Sequence, residues 1–322
     1  MREFRFVKLI SQLENVASLD PLVNRVRGIV NTVIQPQPVR DVLHGVPVGH
    51  PVHPLLVLIP TGAWVSAAVL DLLPGNERAA RTLVGVGIVS VAPTAAAGYT
   101  DWSELHEQQM RVGLVHAASN IVATALYTVS WIQRGRGHTT SGKVFSMIGL
   151  AVVSGGGYLG GHLSYRQAAG ANHAEDVPHR FPAGWQPFAQ LDDLPQNKLF
   201  TKDVGGVQLV AVRRGDRVDV LSNTCSHLSG PLNEGDLSVG DEYASDNSED
   251  ASGEISYDTS GDSAGDSSGD SSGEACISCP WHASTFSLET GEVLRGPATS
   301  PQPKFDTRIT NGQVEVLLPN AG

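Results

Sequence analysis

"CSHLSGPLNEG" (225–235) and "CPWHASTF" (279–286) decide the reading of the C-terminal half. In the first stretch one residue separates Cys225 from His227, and in the second two separate Cys279 from His282. Two thiols and two imidazoles are the donor set of a tetrahedral zinc site. They are equally the donor set of an iron pair with unlike ligands. The spacing favours the second. Each stretch carries one ligand of each kind, so each loop reaches both irons, whereas zinc modules more often couple Cys with Cys and His with His.

The surroundings of these stretches alternate in the manner of strands. "GVQLVAVRRGDRVDVLSNTC" (206–225) reads as two strands joined by a Gly-Asp turn. "STFSLETGEVLRG" (284–296) and "KFDTRITNGQVEVLLP" (304–319) read as hairpins turning at Thr-Gly and Asn-Gly. Between the ligand stretches lies "SGDSAGDSSGDSSGE" (260–274), a near-repeat of Gly, Asp and Ser without core-forming residues, read as disordered. The spacing of an EF-hand calcium loop is missing from it. Eleven of the 33 acidic residues fall between Asp241 and Glu274 with no Lys or Arg, which equals the whole net charge of −11. The rest of the chain is neutral and has no basic face for nucleic acid. Three cysteines, two of them in ligand spacing, argue against a disulfide framework, and Cys276 reads as a small buried residue.

On these residues the C-terminal part resembles the Rieske iron–sulfur family, over roughly 185–319. The resemblance implies a 2Fe-2S cluster, with Cys225 and Cys279 on one iron and His227 and His282 on the other. It implies loops shaped by Gly230, Pro231 and Pro280, and an imidazole exposed at the tip as the exit for one electron. High-potential members carry a disulfide between the loops. Gly230 and Trp281 stand at those positions here. Those members also use a Ser and a Tyr hydroxyl toward the cluster sulfurs. Ser284 keeps the first and Phe286 lacks the second. A potential in the lower half of the family range follows.

The N-terminal half is of another kind. Residues 54–73, 79–100, 112–132 and 143–163 are four apolar segments of bilayer-spanning length, which predicts a four-helix transmembrane bundle. Gly155, Gly156, Gly157, Gly160 and Gly161 allow close packing of the last helix. Tyr99, Trp102 and Tyr165 mark one interface and Trp131 the other. "HPLLVLIPTGAW" (53–64), Asp71, "AGYTDW" (97–102) and "HAASN" (116–120) resemble a family of bacterial membrane domains of unknown function. Alternating spans gather His53, His116, His162, Asp101 and His106 at the face from which the C-terminal domain emerges. These are a candidate haem or quinone site, against the plainer reading that they cap helices and bond backbone. Before the spans, Asp20 is a candidate N-cap of an amphipathic helix (20–34) that lies on the membrane or packs on the protein.

The chain therefore reads as multidomain: a tail (1–50), an all-α transmembrane bundle (51–165), a polar linker (166–184) and an all-β Rieske-type domain (185–319) with an acidic insert (241–274). The start has no signal-peptide pattern. The expected place is the cell membrane, multi-pass and in contact with lipid, with the β domain in the cytoplasm. The expected role is one-electron transfer between redox partner proteins. A quinone- or haem-using oxidoreductase component and a redox sensor stay open. A self-contained oxygenase is disfavoured, because from Trp185 onward the only histidines are His227 and His282.

Overall fold

The computed structural model describes residues 10–239 and 274–319. The acidic insert, Glu274 apart, lies outside the described residues. Two amphipathic helices, α1 (Asp20–Val33) and α2 (Gln37–His44), precede the long ones. Helix α2 stops at Gly45, whose φ of 99° suits a residue without Cβ and whose N–H closes onto Asp41 O at 3.0 Å. Then come α3 (Val52–Asp71), α4 (Glu77–Trp102), α5 (Glu107–Gly135) and α6 (Thr139–Gly161), the last continued by a π-helical turn at His162–Arg166. Among the described residues, these four helices are long and apolar enough to cross a membrane.

The bundle is built from antiparallel neighbours, α3 against α4 and α5 against α6. Trp64 of α3 stacks on Tyr127 of α5, with ring centroids 4.0 Å apart and planes 9° from parallel. The indole fits because Gly87 of α4 leaves it room. Pro60 has no N–H, which frees the carbonyl of Leu56 one turn earlier. The Thr94 hydroxyl of α4 stands 3.3 Å from that carbonyl, sharing its hydrogen with Ser90 O at 2.8 Å. At one end of the bundle Arg134 and Asp71 form a buried two-pronged ion pair, with Nη1–Oδ1 at 2.7 Å and Nη2–Oδ2 at 2.5 Å. Ser130 and Ser146 take further guanidinium N–H groups, and Lys143 bonds the Asp71 carbonyl. Helices α3, α5 and α6 are thereby tied together at that end.

The α1 helix packs on the protein along one side. Val23 and Val30 are buried against the bundle, while Leu22, Ile29 and Val33 stay exposed. Asp20 does not cap it. The helix starts at Asp20 itself, and the carboxylate instead grips Arg111 of α5 at 2.6 and 2.8 Å. Trp102 is also not an interface marker, being buried with its Nε1–H on Met110 O at 2.9 Å.

The C-terminal half is all-β. A six-stranded antiparallel sheet runs β1 (Gln186–Gln190), β10 (Gln313–Leu317), β9 (Lys304–Thr310), β4 (Arg217–Ser222), β3 (Val207–Arg214), β2 (Leu199–Val204). A four-stranded sheet of β5 (Asp236–Ser238), β6 (Cys276–Ser278), β7 (Thr285–Ser287) and β8 (Val293–Arg295) is an excursion between β4 and β9, which are themselves paired at Val220↔Phe305. Segment 166–184 is not a free polar tether. It contains a short helix, α7 (Val177–Arg180), and Ala174, Val177 and Phe181 are buried in the β-domain core beside Phe188 and Phe305. Their i, i+3, i+7 spacing gives one apolar edge to an otherwise charged stretch.

Breaking a buried ion pair from one side leaves an uncompensated charge. Asp71→Ala is expected to lower stability by about 3–5 kcal/mol, read as a fall in thermal midpoint in detergent. Asp71→Leu combined with Arg134→Met should lose much less. In the β domain, burial opposes charge on Asp219, but Lys304, Arg214 and Arg217 around it hold its carboxyl below the ordinary range. A depressed folded-state pKa stabilises above the unfolded value and is lost as pH falls through the folded one. The stability gap between wild type and Asp219→Asn should therefore be full at pH 7 and close below about pH 4, as followed by acid unfolding.

Candidate metal centre

Both ligand stretches fold into the same turn. In the first, between β4 and β5, Cys225 N–H bonds Gly230 O at 2.8 Å and Ser229 N–H bonds Cys225 O at 3.0 Å. In the second, between β6 and β7, Cys279 N–H bonds Ser284 O at 2.8 Å and Ala283 N–H bonds Cys279 O at 3.0 Å. The residue four after each Cys is left-handed, Ser229 at φ 63° and Ala283 at φ 55°. Such a conformation in a non-glycine costs on the order of 1–3 kcal/mol and gathers at functional sites.

The two turns face each other. The thiols of Cys225 and Cys279 are buried, free of disulfide and within hydrogen-bonding reach of one another. The imidazoles of His227 and His282 lie 5.0 Å apart between ring centroids, at 88°. The site is thus a thiol pair beside an imidazole pair. Among the described residues no three His, Cys, Asp or Glu side chains stand together as one ion would need. The division two and two suits a pair of irons better than a single zinc.

The surroundings shift the two thiols in opposite directions and keep both imidazoles neutral. The hydrogen bond from Cys225 draws the Cys279 thiol down to about 7 against the cost of burial, helped by the backbone N–H groups of Trp281 and His282. The same hydrogen bond, with burial, pushes Cys225 up. Burial first, then the neighbouring His282, holds His227 far below the ordinary histidine range, and burial lowers His282 as well. Neutral imidazoles are the form that binds metal. His227 Nδ1 is buried without a hydrogen-bond partner, which a metal ligand would explain.

The loop-shaping residues stand around this centre. A Cβ on Gly230 would sit 2.6 Å from Cys279 Sγ and 3.3 Å from the Trp281 ring. Ser284 is fully buried and its Oγ accepts Ala298 N–H at 2.9 Å, leaving its own hydrogen to donate. Phe286, also buried, pairs with Ile277 across β6 and β7. Pro231 bridges to Thr224 at the end of the first loop, and Pro280 lines a cleft beside the second. Cys276 is half-buried in β6 and joins neither loop.

The imidazoles are not exposed at a free tip. Both are half-buried because the helical domain covers them. Leu228 fills an apolar socket of Val23, Trp102, Leu105 and Met110. His106 caps α5, takes part in a reciprocal bond with Gln109, and lies 5.5 Å from the Trp281 ring and 6.1 Å from that of His282. Arg295 bonds Gln37, and Gly296 N–H bonds Asp41, both at 2.9 Å. His173 reaches the first loop from the linker, its N–H on Ser226 O at 2.9 Å and its Nδ1 at 3.1 Å from Ser229 Oγ. The sequence reading missed Leu228, His173 and Gln37. Only Leu228, an apolar residue amid small polar ones, carried a signal.

The other membrane-domain candidates do not converge with His106. His53 Nδ1 donates to Thr94 O at 2.9 Å. His116 donates to Gly156 O at 2.7 Å and its second nitrogen is 3.1 Å from Asn120 Nδ2. His162 meets Glu14 at 2.8 Å, and Asp101 meets the buried His44 at 2.8 Å. Each of these side chains has a local partner, Thr94 O for His53, Gly156 O and Asn120 for His116, and Glu14 for His162.

Gly230→Ala should drive a methyl group into the Cys279 sulfur. Overpacking of this kind costs about 1–3 kcal/mol, and iron per chain and visible absorbance of the purified variant should fall well below wild type.

Residues 49–173 match the family described as predicted membrane protein DUF2231, and residues 184–244 and 262–306 match the Rieske [2Fe-2S] domain. The anthranilate 1,2-dioxygenase ferredoxin subunit of Burkholderia cepacia is 24% identical over 134 residues, 42% of this chain and 92% of that protein. The 3-phenylpropionate/cinnamic acid dioxygenase ferredoxin subunit of Escherichia coli K12 is 38% identical over 48 residues, 15% of this chain and 45% of that protein. The match thus spans less than half of that relative's length. Among solved structures, the ferredoxin of carbazole 1,9a-dioxygenase from Nocardioides aromaticivorans IC177 is 23% identical, covering 42% of this chain and all of that one, with a TM-score of 0.30. This chain joins a DUF2231 domain to a C-terminal Rieske domain, and the group that such a domain carries is a 2Fe-2S cluster.

Proposed function

We propose that the protein is a membrane-anchored one-electron carrier in which Cys225 and Cys279 hold one iron and His227 and His282 the other. The observation that carries this reading is the pair of equivalent cysteine turns, which bring two thiols and two imidazoles together. When bound, the cluster supplies reversible one-electron chemistry. The four apolar helices anchor the carrier in the cell membrane. The β domain is assigned to the cytoplasmic side, where such clusters are assembled. Its donor and acceptor are redox partners, in keeping with the ferredoxin subunits of dioxygenases among its relatives.

The residues at the site set how readily an electron is accepted. Backbone N–H groups of His227 and Leu228 point at the Cys225 sulfur, and those of Trp281 and His282 at the Cys279 sulfur. Each such donor favours the more negative state, at about 1.5–3 kcal/mol for a bond to a charged group. Ser284 adds a hydroxyl hydrogen, whereas Phe286 has none to give. Gly230 and Trp281 provide no disulfide between the loops.

A reduced-minus-oxidised spectrum of the full-length protein in detergent tests the reading. Broad visible absorbance should bleach on reduction without a Soret change. The midpoint should fall in the lower half of the range of about −150 to +300 mV. A value near the top of that range would refute the assigned roles of Phe286 and Gly230. Cys225→Ser and His227→Ala should each abolish the signal while leaving the helical content of the circular dichroism spectrum intact.

A further inference from the structure

Helices α1 and α2 each keep an apolar side that the described residues leave uncovered. On α1, Leu22, Ile29 and Val33 recur at helical spacing as one stripe, and Val33 is 74% exposed. On α2, Val39 and Val42 form a second stripe, and Val48 just beyond it is exposed as well. A lone exposed apolar residue is ordinary, whereas stripes on two consecutive helices mark a contact surface.

The direction of the stripes says what meets them. Two residues along a helix turn the side chain by about 200°. Val39 stands two residues from Gln37 and from Asp41, which bond Arg295 and Gly296 of the β domain. Val42 stands two residues from Arg40 and from His44, which hold Glu104 and Asp101 at the end of α4. Ile29 stands two residues from Asn31, which bonds Arg40 of α2 at 3.3 Å. Val23 and Val30, on the flank of the α1 stripe, are buried, Val23 against Leu228. Both stripes are therefore turned away from the β domain and outward from the bundle. Val48 leads along the chain from the α2 stripe to Leu55, Leu58 and Ile59, exposed apolar residues in the first turns of α3. The charge beside the α1 stripe is positive. Arg25, three residues after Leu22 and four before Ile29, is exposed, while the acid of this helix, Asp20, is held by Arg111.

Resting on the membrane-anchored reading above, we propose that α1 and α2 lie in the interfacial layer of the bilayer, with Leu22, Ile29, Val33, Val39 and Val42 against acyl chains and Arg25 at the level of the lipid phosphates. An apolar stripe edged by a cation is what the headgroup boundary takes from a helix lying in its plane. A long cationic side chain at the edge keeps its head among the phosphates while its stem lies on apolar surface. A second copy or a partner protein would have to reach the stripes from the side on which lipid surrounds the bundle. The two helices are then the footing of the metal centre. On one side they meet lipid, and on the other they hold its loops, through Val23 on Leu228 and Asp41 on Gly296. One helix diameter, about 10 Å, separates the two contacts.

The test is spin-label accessibility in the full-length, oxidised holoprotein, held in nanodiscs of phosphatidylcholine and phosphatidylglycerol. In a Cys276→Ser background, single nitroxides are attached through Ile29→Cys, Val42→Cys, Asn24→Cys and Val89→Cys. Asn24 is on the polar side of α1 and reports water. Val89, in the middle of α4 and 76% exposed, reports the bundle. The visible spectrum of each labelled protein checks that the cluster is kept. A nickel chelate confined to water should relax the Asn24 label and lose its effect on the Ile29 and Val42 labels, as on the Val89 label. Oxygen, which concentrates among acyl chains, should relax those three more than the Asn24 label. A chelate that reaches the Ile29 and Val42 labels as readily as the Asn24 label, with Val89 protected, would overturn the proposal and leave the anchoring intact. Dipolar broadening at Ile29 or Val42 that disappears on mixing with unlabelled protein would overturn it in favour of a second copy. A chelate that reaches the Val89 label would instead overturn the membrane-anchored reading.

Discussion

The two cysteine turns can face each other only because Gly230 carries no side chain. Its Cα lies against the Cys279 sulfur and the Trp281 ring, so the first loop closes directly onto the second. From this contact the rest follows in order. The backbone bonds Cys225 to Gly230 and Cys279 to Ser284 fix where each sulfur sits. Left-handed Ser229 and Ala283 reverse the chain, so that His227 and His282 rise on the same side. The small sheet β5–β8 exists to present these turns, and the large sheet holds it between β4 and β9.

Much of this was legible in the residues. Cys-x-His and Cys-x-x-His mark the two loops that the structure brings together, and the Gly215-Asp216 and Asn311-Gly312 turns mark hairpins that the structure contains. The four apolar segments are the four long helices. What could not be read is tertiary. Leu228, Trp102 and His173 acquire their roles only when two domains meet, and of the three only Leu228, apolar amid small polar residues, shows a local sign of it. The linker shows the opposite failure. Ala174, Val177 and Phe181 were visible at helical spacing, but the charges between them made the stretch look free.

The histidines of the helical half show how burial decides between readings. Alone in an apolar sequence, His53 and His116 look like ligands in waiting. In the structure each imidazole meets a carbonyl of the neighbouring helix, and Gly98 and Gly160 leave the rings room. An imidazole that would be costly unpaired in an apolar bundle becomes a strut between helices. His106 and His44 sit instead at the end where the domains join. There His106 meets the second cluster loop, and His44 holds Asp101 beside the cleft.

The long acidic connection leaves β5 and returns at β6, and its anchors Ser238 and Cys276 are partners in the same ladder. The two ends of the segment are therefore a strand spacing apart, about 5 Å, whatever lies between them. Neither cysteine turn is part of it. This junction is a tolerant port in the fold. It is a place where evolution could lengthen, shorten or exchange sequence, or where a reporter could be grafted, with the register of the small sheet and the geometry of the metal centre left alone.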